Sequence, residues 1–161
     1  MERRCDFNFE RNSLVIDADA CPVARMASKI AKEYGARCIA VCDSEHTFNG
    51  ENMYGAEIIT VSQGADSADF YIVNHVHEND IVITQDYGLA AMCLAKKACV
   101  INQNGQIYSD DNISGLLESR AIGKKIRRAG GRTKGPKKRT AEQNDKFEKT
   151  LRRLFEYAKG I

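Results

Sequence analysis

The 161-residue sequence contains no long apolar run. The stretch MERRCDFNFERNS is polar, and the LVI that follows it is too short for a signal peptide or a membrane span. Elsewhere the longest apolar runs have the length of a strand. These absences predict a cytoplasmic protein with no membrane partner. A composition of 43% hydrophobic and 29% charged residues excludes wholesale disorder and, at this length, predicts about one folded domain.

The sequence also lacks a CxxC pair and any cluster of cysteine and histidine at zinc-binding spacing. Cys38 and Cys42 lie on one predicted strand, about 13 Å apart at about 3.3 Å per residue, which is too far for a disulfide. Cys93 and Cys99 occupy apolar positions of a predicted helix and a predicted strand. We therefore expect all six cysteines to be reduced thiols, most of them buried.

Acidic residues are absent from residues 120–139, here called the basic segment, which hold ten lysines and arginines and carry a net charge of +10. Residues 1–119 hold nine basic and eighteen acidic residues, a net charge of −9, and residues 140–161 carry +1. This asymmetry predicts an α/β body over 1–119, the basic segment over 120–139, and a carboxyl-terminal helix over 140–161. The basic segment has no aromatic residue, so base stacking from it is not expected.

Strand-like and helix-like patterns alternate along the body. Strands are predicted at 13–18, 37–42, 56–61, 80–84 and 98–102, and helices at 22–34, 67–77 and 87–97. Repeated strand–helix–strand units predict an α/β fold with an open parallel sheet covered by helices on both faces.

Local signals predict the structure after the fifth strand. The segment NQNG is typical of a turn, with Asn104 and Gly105 at its tip. Ser109 caps a predicted helix that reaches residue 117 and, in the longer interpretation, residue 128. Thr140 and Gln143 have the spacing of a capping box at the start of the last helix. That helix carries an apolar stripe, so we expect it to pack back on the body.

Aspartates cluster where predicted strands end. In LVIDADACPV, Asp17 and Asp19 are two residues apart at the end of the first strand, so both project to the same side of an extended chain. Asp86 follows the fourth strand, and Asp66 and Asp69 lie at the start of a helix. Open α/β sheets bind ligands at the carboxyl ends of their strands. If strands one and four are neighbours, these carboxylates converge.

Such a cluster is unfavourable by like-charge repulsion unless a cation neutralises it. Mg²⁺ and Mn²⁺ take carboxylate oxygens, and a metal-activated water suits attack on a phosphodiester. We therefore predict that Asp17, Asp19, Asp66 and Asp86 are catalytic metal ligands, with Asp69 assisting. For Asp66 or Asp86, capping of the following helix is the competing interpretation.

The segments VIDADACPV, QGADSAD, ITQDYGLAA and INQNGQIYSDDNI resemble, in this order, the YaiI/YqxD family of uncharacterised bacterial proteins. The resemblance spans roughly residues 13–157. That family is assigned to the PIN-like nuclease fold, which implies an open parallel sheet of order 3-2-1-4-5 with strands one and four side by side. The metal-binding acids of PIN-like nucleases match Asp17 with Asp19, Asp66 or Asp69, and Asp86.

Our leading hypothesis is a ribonuclease that uses Mg²⁺ or Mn²⁺, with RNA a more suitable substrate than DNA. The basic segment would bind the phosphate backbone in a sequence-tolerant, salt-sensitive manner. Its predicted nucleic-acid-binding residues are Lys124, Lys125, Arg127, Arg128, Arg132, Lys134, Lys137, Lys138 and Arg139.

Two other functions remain open at this point. The first is an RNA-binding or adaptor module without catalysis on the same fold. The second is a phosphatase of the haloacid-dehalogenase type, because DADAC approximates its DxDxT motif with Cys21 in place of the threonine. Cys21 opens a predicted helix, where thiolates are stabilised, but packing in a tight turn is the favoured interpretation.

Overall fold

The computed structural model describes residues 5–19, 21–43, 52–62, 64, 67–131 and 138–161. In chain order, the elements of these residues are β1 (Ser13–Asp17), α1 (Ala24–Tyr34), β2 (Arg37–Asp43), β3 (Glu57–Val61), α2 (Ser67–His75), β4 (Ile81–Ile83), α3 (Tyr87–Ala95), β5 (Cys99–Ile101), α4 (Asp110–Arg128) and α5 (Ala141–Lys159). The strands form one parallel sheet of order β3-β2-β1-β4-β5. The predicted α/β class and the sheet order implied by the resemblance are both confirmed.

The order of the strands reverses at β1. The chain adds β2 and β3 on one side of β1, and β4 and β5 on the other. In the pairing of β1 with β4, Leu14 lies opposite Ile81 and Ile16 lies opposite Ile83. The carboxyl ends of β1 and β4 therefore form the crevice where open α/β sheets bind ligands.

Helices cover both faces of the sheet because successive strand side chains point to opposite sides. Leu14 and Ile16 of β1 pack in a core with α1 and α5, whereas Val15 packs in a second core with α2, α3 and α4. These three side chains are at most 7% exposed. The near-continuous apolar run of β1 is what a strand buried on both faces requires.

The carboxyl-terminal helix α5 packs back on the body. Phe147, Leu151 and Phe155, spaced at helical intervals, are completely buried. The ring of Phe155 lies 5.4 Å from that of Phe7 and 5.4 Å from that of Tyr34. The stripe therefore joins α5 both to α1 and to the segment before β1.

Three helix boundaries differ from the sequence pattern by two residues: α1 begins later than predicted, α2 ends at His75 rather than at residue 77, and α3 ends at Ala95 rather than at residue 97. The first helix begins at Ala24 rather than at Pro22, because Pro22 and Val23 form a turn in which the Ala24 amide donates to the Cys21 carbonyl. The helix α4 is continuous to Arg128, so the longer of the two interpretations is correct and the body's last helix carries the start of the basic segment. Each helix of the described residues falls short of the length or apolarity that a bilayer crossing requires.

The expectation of six reduced cysteines is wrong for one pair. Cys5, in the segment before β1, forms a disulfide with Cys99 at the start of β5. Their Cα atoms lie 5.9 Å apart although 94 residues separate them in the sequence. The remaining four, Cys21, Cys38, Cys42 and Cys93, are free.

Candidate functional site

Asp17 is the centre of the candidate site. It is the last residue of β1 and is partly buried. Its Oδ2 atom accepts a hydrogen bond of 2.8 Å from the hydroxyl of Thr84, which follows β4 and is only 2% exposed. The same hydroxyl accepts from the backbone amide of Asp86 at 3.0 Å. One buried hydroxyl therefore joins the end of β1 to the segment that carries Asp86.

Asp86 performs the capping role that competes with metal binding. Its Oδ1 accepts from the backbone amides of Gly88, at 2.8 Å, and Leu89, at 3.1 Å, at the start of α3. The Nη1 atom of Arg120, carried by α4, lies 3.6 Å from the same oxygen. All three of these contacts use Oδ1, so the capping geometry does not engage Oδ2.

Asp19 lies on the β2 side of Asp17. Both of its carboxylate oxygens accept from the backbone amide of Asp43, at 3.1 and 3.3 Å. This contact holds the loop after β1 against the end of β2. The two aspartates of the DAD motif thus have different surroundings, with Asp17 directed to β4 and Asp19 to β2.

The surroundings of Asp17 disfavour its charge. Burial raises the pKa of the Asp17 carboxyl to about 6, the Thr84 hydrogen bond opposes this, and the charges of Asp19 and Asp86 raise the pKa further. The charges of Asp19 and Asp86 each repel that of Asp17, so both carboxylates lie near it. A cation at this edge would relieve that repulsion.

The other two predicted ligands belong to the α2 region. Asp69 lies in the first turn of α2. Burial raises the pKa of the Cys93 thiol of α3 to about 12, and the charges of Asp17 and Asp69 both act on this thiol in the same direction. Asp66 lies outside the described residues. Within those residues, no three Asp, Glu, His or Cys side chains form a group arranged to hold a metal ion. The complete carboxylate site stays a prediction.

The donor chemistry of the site fits a hard cation. Its described polar groups are carboxylates and the Thr84 hydroxyl, which suit Mg²⁺ or Mn²⁺. Burial raises the pKa of the nearby Cys21 thiol to about 11, so this thiol is neutral at physiological pH. A neutral thiol is neither a soft metal ligand nor an activated nucleophile, which supports a packing role for Cys21.

The predicted nucleic-acid-binding residues fall into two groups. Lys124, Lys125, Arg127 and Arg128 are exposed on the second half of α4, and Lys138 is exposed before α5. Arg132, Lys134 and Lys137 lie outside the described residues. Arg139 differs from the other described residues of this set because it is partly buried and anchored.

Arg139 is bound to the turn after β5 and to α5. Its Nη2 donates to the carbonyl of Gln103 at 2.6 Å, and its Nη1 donates to Oδ1 of Asn104 at 2.8 Å. Its Nε donates to Oδ1 of Asn144 on α5 at 2.6 Å. The guanidinium is thereby held near the carboxyl edge of the sheet.

The sequence pattern predicts no role at the candidate site for Arg120, Gln103 or Asn104. Arg120 is only the first residue of the basic segment in the sequence, and α4 brings it to Asp86. Gln103 and Asn104 had been recognised only as turn residues. No local signal marks these three, because their roles arise where separate elements meet.

Comparison with known proteins places the chain among bacterial relatives. The family described as "Uncharacterized BCR, YaiI/YqxD family" matches residues 15–157. The chain is 50% identical to a UPF0178 protein of Exiguobacterium sibiricum, covering 87% of this chain and 94% of the relative. It is 50% identical to one of Ruminiclostridium cellulolyticum, covering 86% and 88%, and 40% identical to one of Clostridium perfringens, covering 92% and 97%.

No solved structure matches the chain at a significant level. The family match covers most of the sequence, including the motifs that hold Asp17, Asp19 and Asp86. The chain belongs to the uncharacterised YaiI/YqxD family of bacterial proteins.

Proposed function

We propose that this protein is a PIN-like ribonuclease, a phosphodiesterase that depends on a divalent cation. The observation that carries the proposal is the position of Asp17 at the reversal of strand order, tied through the Thr84 hydroxyl to the segment of Asp86. Carboxylates gathered at this edge are the groups that a hydrolase using Mg²⁺ or Mn²⁺ needs.

Asp17, Asp19 and Asp86 would hold the cation, with Asp66 and Asp69 as the predicted additional ligands. When bound, the cation supplies an activated water and offsets the negative charge of the phosphate. Thr84 keeps Asp17 oriented, since its hydroxyl donates to one carboxylate oxygen. Asp86 caps α3, and this contact fixes the position of the Asp86 carboxylate.

The charge distribution supports a polyanionic substrate. A body with a net charge of −9 repels RNA, so the basic residues must supply the attraction. Lys124, Lys125, Arg127 and Arg128 are exposed on α4, whose earlier residue Arg120 lies beside Asp86. The same helix thus connects the exposed charges to the candidate site. A cytoplasmic location, expected from the sequence, gives access to RNA.

The proposal is tested by replacing Asp17 and Asp86 together with asparagine. Asparagine keeps an oxygen that accepts from Thr84 and caps α3, so the fold should persist while the cation loses its charged ligands. We expect Mn²⁺-dependent cleavage of a single-stranded RNA to fall at least about 100-fold, since metal catalysis supplies several kcal/mol. Asp145→Asn, an exposed change on α5, is the control. Undiminished cleavage by the double variant would contradict the assignment.

A second function is favoured by one observation. The Oδ1 atom of Asp86 is committed to the α3 cap and to Arg120, and no three-ligand group forms within the described residues. An RNA-binding module without catalysis needs no metal. Salt-sensitive RNA binding by the wild-type protein, with no cleavage in either Mg²⁺ or Mn²⁺, would establish this function instead.

A further inference from the structure

Arg139 is a fixed cation whose hydrogen-bond partners among the described residues are all neutral. Its three described acceptors are the Gln103 carbonyl and the side-chain amide oxygens of Asn104 and Asn144. No carboxylate within the described residues forms an ion pair with it, although the body is acidic. Burial lowers the pKa of Arg139, which means that the guanidinium has lost part of its hydration. A partly desolvated charge without a counter-ion is unfavourable, and a bound anion would offset the cost.

The hydrogen bonds leave donors for such an anion. A guanidinium carries five N–H donors, of which the described contacts use three. One remaining N–H belongs to Nη1 and the other to Nη2. A pair of donors in a rigid planar fork matches the oxygens of a phosphate.

The turn that holds Arg139 is itself rigid. Oδ1 of Asn102 accepts from the backbone amides of Asn104 and Gln106, each at 2.9 Å. The hydroxyl of Thr150, on α5, donates to the carbonyl of Gly105 at 2.9 Å. Arg139 is therefore hydrogen-bonded to a rigid turn that is itself bound to α5, unlike the exposed basic residues of α4.

The position of Arg139 is at the edge that carries the carboxylates. The turn follows β5, which is the neighbour of β4, so it continues the row of strand ends from Asp17 through Thr84.

We propose that Arg139 binds a phosphate group of the substrate at the sheet edge that also carries Asp17. This inference rests on the proposed function for the nature of the substrate, a single-stranded RNA, but not on its hydrolysis. Arg139 would bind one defined phosphate of the RNA. The lysines and arginines of α4 would attract the RNA without fixing its position. The basic segment therefore contains two kinds of phosphate contact.

The test compares Arg139→Gln with Arg11→Gln. Glutamine keeps an N–H at the position of the arginine Nε, which donates to Asn144, but removes the charge. Arg11 is an exposed arginine just before the amino end of β1. Binding of a fluorescein-labelled eight-nucleotide single-stranded RNA is measured by anisotropy over a range of salt, with EDTA present to prevent cleavage. We expect Arg139→Gln to weaken binding at least about 10-fold and to reduce the slope of log K against log salt by about 0.7, the value for one phosphate contact on a single strand.

The control variant and the salt slope separate the outcomes. Equal loss of RNA affinity in the two variants would overturn the proposal. So would weaker binding by Arg139→Gln with an unchanged salt slope, because loss of a purely structural contact lowers the stability of the protein without changing the number of phosphate contacts. Failure of the wild-type protein to bind the RNA would also overturn it. Loss of binding in Arg139→Gln together with no cleavage by the wild-type protein would leave this inference standing and contradict only the proposed hydrolysis.

Discussion

Among individual residues, Thr84 has the largest influence on the candidate site. Its hydroxyl donates to Asp17 and accepts from the amide of Asp86, so it serves β1 and β4 at once. It is 2% exposed, so the hydroxyl itself is shielded from solvent. In the sequence, Thr84 is only the residue two before Asp86. Its role depends on the pairing of β1 with β4, in which each pair of opposite residues is 67 positions apart along the chain.

Replacing Thr84 with valine tests this role. Valine has the same shape but no hydroxyl, so it leaves an Asp17 oxygen and the Asp86 amide without their partner. We expect a loss of about 1–3 kcal/mol in the free energy of unfolding, measured by urea denaturation. Thr84→Ser keeps the hydroxyl and should recover most of the loss. Equal stability of the valine variant and the wild-type protein would contradict the role.

The ionisation of Asp17 predicts a pH-dependent stability. The pKa is about 6 in the folded protein and about 3.9 in an unfolded chain, so the folded state binds the proton more tightly. The stabilising contribution of this group is complete below about pH 4 and is lost as the pH rises through about 6.

Asp17→Asn should therefore be more stable than the wild-type protein above pH 7, by on the order of 2 kcal/mol, and the difference should vanish near pH 4. Added Mn²⁺ should stabilise the wild-type protein, because a cation favours the ionised carboxyl of Asp17. The difference in unfolding free energy between the wild-type protein and Asp17→Asn should then become smaller. Urea unfolding from pH 4 to 8, with and without Mn²⁺, measures both effects. Equal stabilisation of the two proteins by Mn²⁺ would exclude Asp17 as a ligand.

Among the elements, the turn after β5 and helix α5 form one unit. Gly105 has φ of +81°, and a Cβ atom built there would lie 2.5 Å from the backbone carbonyl oxygen of Lys146. Only glycine allows α5 to approach this closely. The same contact positions Asn144 and Arg139, so the packing of α5 determines the arrangement at the sheet edge.

Gly105→Ala should separate the turn from α5. Gly55→Ala is a matched control because Gly55 also has φ of +81° but no atom within 4 Å of its added Cβ. The strained backbone alone costs about 1–2 kcal/mol, and we expect Gly105→Ala to lose about 1–3 kcal/mol more through overpacking. Equal unfolding free energies for the two variants would show that α5 does not press on the turn.

In the whole molecule, long-range contacts fasten the amino-terminal segment. The disulfide of Cys5 with Cys99 joins this segment to β5, and Phe7 packs on Phe155 of α5. A cross-link between residues so distant in sequence restricts the unfolded chain strongly. The segment before β1 is therefore part of the core and not a loose extension.

Reduction of the disulfide should destabilise the protein. We expect a reducing agent to lower the free energy of unfolding by about 2–5 kcal/mol. Cys5→Ala should no longer respond to the reducing agent, whereas Cys42→Ala, which removes a buried free thiol, should respond as the wild-type protein does. A wild-type protein whose stability is the same with and without reductant would contradict a stabilising cross-link.

The sequence by itself determined the elements and their class. Alternating apolar patterns and capping signals such as Thr140 with Gln143 act over a few residues, so they can be read without the fold, and the capping box is present as predicted. The resemblance to a family added the sheet order, which local patterns do not contain. With that order, the proximity of Asp17 to the segment of Asp86 followed directly.

Only the tertiary structure decided which distant groups meet. The disulfide of Cys5 with Cys99, the contact of Arg120 with Asp86 and the anchoring of Arg139 to Asn104 each join residues at least 34 positions apart. The residues next to each of these side chains in the sequence do not indicate its partner. Such contacts depend on how the helices pack on the two faces of the sheet. Local chemistry determined where each strand and helix forms, and packing determined which charges face each other at the edge of the sheet.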